Sequence, residues 1–193
     1  KGKDNASFWV DLVKIGGKLV TVSDEKRARE IEAELNTAEY EVGKIDKKER
    51  HIYPNPPFKT STMQQAAANV LGWSAKKTMS VAQRLYEKGA ITYHRTDSLN
   101  LVPSAVGDIR KFIGKQYGEE YLPEKEIYYK TGGKVVAQEA HEAIRPTQVQ
   151  KSAGQQEGDK DEDKLYQLIW RRTVACQMKP ALVDQTVIWV HAE

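Results

Sequence analysis

The sequence predicts an α+β chain of two units, one β-rich and discontinuous, the other mostly helical. Three observations predict it. Apolar and polar residues alternate through much of the first fifty positions; prolines at 54, 56 and 57 then interrupt the pattern, and beyond them the apolar period is helical. Near the end of the chain a β-prone run returns at 186–190. These signals place residues 1–53 and 181–193 in the β-rich unit and 54–180 in the helical one. A length of 193 residues suits one domain plus part of a second.

Each element has its own local reason. Residues 8–13 alternate, Gly16 and Gly17 supply a turn, and 18–22 completes a predicted hairpin. Ser23 is expected to cap a charged helix over 24–35 with Ala28, Ile31 and Leu35 on one face, and 40–45 reads as a strand. Past the prolines, Thr60, Ser61 or Thr62 can cap a helix carrying Met63, Ala66, Ala67, Val70 and Leu71, ended by Gly72. Ser74 caps a second helix over 75–88, with Met79, Ala82, Leu85 and Tyr86 spaced for a buried face and Gly89 closing it. Two helices joined by a short turn have a helix-turn-helix layout, and Ile91, Thr92 and Tyr93 follow as a wing or loop would. Pro103 starts a third helix with Val106, Ile109, Ile113 and Tyr117. Gly132 and Gly133 separate two β-prone pieces, and 164–178 is an amphipathic helix with Leu165, Leu168, Ile169 and Ala175 inward. The run at 186–190 has no neighbour to pair with in sequence, which assigns it back to the N-terminal β unit.

Composition narrows the function classes. With 39% hydrophobic and 30% charged residues and a mean hydropathy of −0.66, the chain is core-forming, neither disordered nor collagen-like. It has no apolar run of membrane-spanning length and no signal-peptide core at its start, so no membrane association and a cytoplasmic location are expected. Cys176 is alone, which excludes a disulfide framework and a cysteine zinc site; it reads as a small buried hydrophobe. A net charge of +3 points only weakly to nucleic acid. The distribution says more: Lys76 with Lys77, then Arg84, Lys88 and Arg95, then Arg145 are basic groups, whereas 157–163 is an acidic block that reads as an exposed loop.

Candidate chemistry gathers at 91–98, where polar and ionisable groups crowd directly behind a helix with basic residues. A phenol can attack phosphorus, but its reference pKa of about 10 means that attack needs a base or a positive field nearby. Two residues beyond Tyr93, Arg95 falls on the same side of an extended segment, and its planar fork suits a phosphate oxygen. The competing reading is a tyrosine packed at the edge of a core, one of nine in the chain. A second cluster, His141 to Arg145 before Pro146, lacks the histidine at 145 that a zinc protease helix needs, so no metal ligands are assigned. It reads either as a loop that contacts phosphate or as a histidine bonded to nearby backbone.

Five strings resemble type IA DNA topoisomerases, in order and at similar spacing: PPFKTST at 56–62, LGWSAKKTM at 71–79, AQRLYE at 82–87, ITYHRTDS at 91–98 and AHEAIRP at 140–146. The segment at 74–79 is most similar to the bacterial topoisomerase I branch. The resemblance implies that Tyr93 forms a 5′-phosphotyrosyl link to one DNA strand, that Arg95 stabilises the scissile phosphate, and that His141 contacts DNA and supports the site. Gln83 and Asp97 take supporting roles, and Lys76, Lys77, Arg84 and Arg145 are expected to contact DNA, preferentially single-stranded. Position 94 departs from the branch, being His where Met is common. The resemblance also implies a winged-helix-like tyrosine domain on a strap-like β domain, in a bacterial, nucleoid-associated monomer. No Asp-x-Asp-x-x-Gly cluster of a Toprim domain occurs in the chain. Magnesium is therefore expected on an N-terminal Toprim domain that would be this chain's partner in the full-length enzyme, with none held here; the chain is expected to be an excised, inactive piece. Two further readings stand beside this one. A non-catalytic winged-helix module, with Lys76 and Lys77 opening the recognition helix, leaves the Tyr93 and His141 strings unexplained. A role in domain opening is compatible with catalysis.

Overall fold

The computed structural model describes residues 7–129, 142–152 and 159–193. The chain folds into two compact units, Lys1–Arg50 with Leu182–Glu193, and His51–Ala181. The architecture is α+β.

In the first unit, strands β1 (Lys14–Ile15) and β2 (Lys18–Leu19) pair antiparallel, Lys14 opposite Leu19 and Ile15 opposite Lys18. Gly16 and Gly17 take φ of 55° and 79°, the positive values that a tight hairpin turn requires. The hairpin is shorter than its alternation predicts. Phe8 and Trp9 are exposed, so that stretch has no surface to pack on and forms no ladder. Helix α1 (Glu25–Thr37) is capped by Asp24 rather than Ser23: the Asp24 carboxylate accepts from the Arg27 N–H at 2.8 Å, where the helix dipole also favours its charge. Of the three residues expected inward, Ile31 is buried, Leu35 is half-buried and Ala28 is exposed.

Strand β3 (Tyr40–Ile52) runs past the predicted end at 45 and pairs with β4 (Ala181–Ala192), the partner that the C-terminal run lacked in sequence. Glu39 and Glu193 exchange backbone hydrogen bonds at one end, and Arg50 reaches Gln185 towards the other, so the strands are antiparallel. At Gly43 the neighbouring strand comes close: a Cβ there would lie 2.3 Å from the exposed His191 ring, which would have to turn aside.

The second unit is built on α2 (Thr60–Leu71), α3 (Ala75–Glu87), α4 (Pro103–Gln116) and α5 (Lys160–Ala175). Helix α2 begins at Thr60, and the Lys59 N–H donates to Thr62 Oγ1 at 3.1 Å. Ser74 caps α3 by accepting from the Lys77 N–H, and Pro103 opens α4 at a position where no amide hydrogen is needed. Helix α3 packs against α2 and α5 around Phe58, Met63, Leu85, Leu165 and Ile169; a second cluster joins Val106, Ile109 and Ile113 of α4 to Val174 and Cys176. Burying each of these Leu or Ile side chains contributes about 1.5–3 kcal/mol. Cys176 is fully buried, and burial pushes its thiol up to about 12, which keeps it protonated and inert. Tyr86 and Tyr117, expected on buried faces, are each 41% exposed. The pieces flanking Gly132 and Gly133 lie outside the described residues.

The acidic block is not a loop over its described part. Asp159 is the N-cap of α5, accepting from the Asp161 and Glu162 N–H groups, and residues 160–163 form the first turn. Carboxylates suit that end because the helix dipole is positive there. Glu162 is 2% exposed and pairs with Arg84 and Lys88 of the α3 end; burial raises its carboxyl pKa, but the two cations outweigh this and hold it below the usual range. Replacing Glu162 with alanine is expected to lower stability by about 1–3 kcal/mol, because charge-assisted hydrogen bonds are lost while the cations stay partly hydrated. Urea unfolding of the chain measures this as a lower midpoint at unchanged slope.

Candidate active site

Along 93–98 burial alternates: Tyr93, Arg95 and Asp97 are exposed, while His94, Thr96 and Ser98 are buried, and the backbone bends at 94 and 95. The sequence reading expects Tyr93 and Arg95 on one side of an extended stretch; both are exposed, but the backbone between them bends. The segment forms no regular strand. It is held by two threonines that sequence reasoning did not single out.

Thr60, first residue of α2, donates its hydroxyl to the carbonyls of His94 (2.8 Å) and Thr96 (2.9 Å) and accepts from the Thr96 N–H at 2.9 Å. The Thr60 N–H adds a bond to the Thr96 carbonyl at 2.9 Å. On the other side of Tyr93, Thr92 donates its hydroxyl to the Ala143 carbonyl at 2.7 Å and accepts from the Arg145 N–H at 3.0 Å. Ile91 bridges Pro146, and Phe58 bridges Ile144. Helix α2 and the 142–147 segment therefore grip the backbone on both sides of Tyr93, leaving its side chain 45% exposed. The only sequence signal for Thr60 and Thr92 is their place inside two of the motif strings.

Among the described residues Arg95 and Lys76 make no ion pair, so both are exposed cations available to an anion. The other assigned cations are engaged. Lys77 lies 2.8 Å from Asp161 and over the Trp73 ring; Arg84 lies 3.1 Å from Asp159 and 2.8 Å from Glu162. Arg145 forms a fork with Glu142 at 2.6 and 3.0 Å and is only 17% exposed at its side chain. Gln83 donates to Glu87 at 2.8 Å, and Asp97 is exposed. His141 lies outside the described residues.

His94 is fully buried, and neither ring nitrogen has a hydrogen-bond partner. Burial chiefly, then the Arg95 guanidinium, push its pKa below the ordinary 6.5, opposed by Glu87; Tyr86 and Tyr93 are the other titratable neighbours in contact. The unfolded chain therefore takes up a proton before the folded chain does, and stability falls as pH drops through about 6.5. The expected slope is at most about 1.4 kcal/mol per pH unit, levelling off once the folded protein also protonates. Urea titrations between pH 5 and 8, roughly spanning the histidine range, should show this slope flattened in His94→Met.

The exposed Tyr93 phenol and, two residues on, the exposed Arg95 guanidinium sit on a backbone clamped from two sides, and these are the group types that nucleophilic attack at a phosphate needs. The fold and this site fit a DNA-processing protein. The chain belongs to the DNA topoisomerase family: residues 10–193 match the family model described as DNA topoisomerase. Relatives include DNA topoisomerase 1 of Vibrio cholerae, 52% identical over 190 residues that cover 98% of this chain and 22% of the relative. DNA topoisomerase 1 of Rickettsia felis is 45% identical over 206 residues, covering 100% of this chain and 26% of the relative. The structure of full-length topoisomerase I from Thermotoga maritima is similar at a TM-score of 0.66 and 35% identity, over 91% of this chain and 28% of that one. The chain thus spans about a quarter of the length of the curated relatives it matches.

Proposed function

We propose that this chain is the tyrosine-bearing central segment of a type IA DNA topoisomerase of the bacterial topoisomerase I branch. The observation that carries the reading is the alternation at 93–98, which leaves Tyr93 and Arg95 both exposed on a backbone held by Thr60 and Thr92. Tyr93 Oη attacks the phosphorus of one strand: the Oη–P bond forms, the P–O3′ bond breaks, the phenolic proton passes to water, and the departing 3′-oxygen takes one proton from water to leave as a hydroxyl, so no net proton is consumed. Religation reverses each change. The phosphotyrosine conserves the phosphodiester energy, so no ATP is consumed, and passage of the other strand through the break relaxes negative supercoils.

Arg95 offsets charge on the scissile phosphate, a role worth most where water is displaced. His141 supports the site and contacts DNA, with Gln83 and Asp97 in supporting roles. Lys76 is the assigned DNA contact free to act directly. Lys77 and Arg84 must exchange carboxylates for phosphates, and Arg145 acts through the backbone that carries Thr92. The α2–α3 pair with the segment after it supports a winged-helix-like reading of this unit, beside a strap-like β unit in the same chain, and a role in domain opening within the full-length enzyme is compatible with catalysis. Among the described residues no group of three or more His, Cys, Asp or Glu side chains converges to hold a metal. Magnesium belongs to the Toprim domain of the full-length enzyme, which we take to be a cytoplasmic, nucleoid-associated monomer acting preferentially on single-stranded DNA.

The test uses an end-labelled single-stranded oligonucleotide and the full-length enzyme carrying this segment, quenched with detergent. A label on the 3′ side of the break is expected to stay with protein, and one on the 5′ side to be released. Retention of the 5′-side label, or no adduct at all, contradicts the reading and leaves a DNA-binding module.

A further inference from the structure

The direction of the Tyr93 hydroxyl is set by packing alone. Among the described residues no hydrogen bond reaches the hydroxyl of Tyr93 or of Tyr86, and the two exposed rings meet edge to face, centroids 5.3 Å apart at 66°. His94 completes a cluster of three mutually contacting rings, 5.5 Å from Tyr93 at 67° and 5.8 Å from Tyr86. It serves as a wall: its ring is fully buried, and its backbone is tied to Thr60. Tyr86 lies in the last turn of α3, where backbone hydrogen bonds close the helix end around it. Gly89, at φ 66°, donates to the Tyr86 carbonyl at 2.8 Å, and the Ala90 N–H donates to that of Leu85 at 2.9 Å.

An exposed tyrosine ring otherwise samples several staggered side-chain wells. In-line attack needs the phenol oxygen opposite the departing 3′-oxygen, in one of them. We propose that Tyr86 is a positioning residue for strand cleavage: its ring, against the His94 wall, selects the orientation in which Tyr93 meets the scissile phosphate. The inference rests on Tyr93 being the nucleophile. Its periodicity assigns Tyr86 to the core, yet it is 41% exposed with one edge committed to Tyr93, a placement that serves orientation more than stability.

The full-length enzyme is tested with a single-stranded oligonucleotide by single-turnover cleavage and, separately, equilibrium binding. Tyr86→Ala is expected to slow cleavage by about tenfold to a hundredfold with binding changed less than about twofold. Tyr86→Phe, which keeps the ring, retains the wild-type rate, and Tyr86→Leu, a bulky alternative should the alanine variant fold poorly, is slow. The proposal is overturned if the alanine and leucine variants cleave at the wild-type rate, if binding weakens by the same factor as cleavage, or if Tyr86→Phe is as slow as Tyr86→Ala. Tyr93→Phe run in parallel separates the two ideas: an adduct persisting there removes the nucleophile assignment, whereas its loss with unaffected Tyr86 variants removes only the positioning role.

Discussion

Replacing Tyr93 with phenylalanine is expected to abolish covalent attachment of the full-length enzyme to DNA. The loss removes the attacking atom and leaves everything else: the ring, its edge contacts with Tyr86 and His94, and the Thr60 and Thr92 clamps remain. Deleting a nucleophile costs an enzyme up to about 10⁶ in rate. A fall of at least about 10³ is therefore expected, at unchanged oligonucleotide affinity. Single-turnover cleavage with a binding titration measures both. A fall in affinity that matched the fall in rate would show Tyr93 acting as a DNA contact instead.

The second large effect concerns the chain by itself. The isolated chain is expected not to relax supercoiled plasmid in the presence of magnesium, because positioned acids and metal commonly supply several kcal/mol of phosphoryl-transfer catalysis and no such group converges among its described residues. Relative to the full-length enzyme the expected deficit is at least about 10³-fold, each missing electrostatic group being worth about 10²–10³. Adding the N-terminal domain in trans is expected to restore some strand cleavage, read on a denaturing gel. Relaxation by the chain alone, abolished by Tyr93→Phe, would show that the acids and metal of another domain are dispensable.

Much of the helical unit was legible because its signals are local. Ser74, Pro103, Gly72 and Gly89 mark helix ends by mechanisms that need only their neighbours, and all four act as the sequence implies. Cys176 likewise reads as buried from the apolar stretch around it. The acidic block was misread for a tertiary reason: Glu162 is buried because Arg84 and Lys88, more than seventy residues away in sequence, neutralise it. Tyr86 was misread because helical spacing cannot tell an inward ring from one turned towards another exposed ring. At the candidate site, chemistry pointed to Tyr93 and Arg95, and ordered motif strings supplied most of the specificity. What escaped was the scaffold, since Thr60 and Thr92 are ordinary in composition and become informative only when the carbonyls they hold, thirty to fifty residues away, are known.

The most direct measurement is the chemical identity of the linkage. The full-length enzyme is trapped on a single-stranded oligonucleotide, digested with nuclease and protease, and the nucleotide-bearing peptide sequenced by mass spectrometry. The account predicts a nucleotide joined through its 5′-phosphate to Tyr93. A modified peptide carrying it on any other residue, or none across the 91–98 segment while cleavage proceeds, would contradict it.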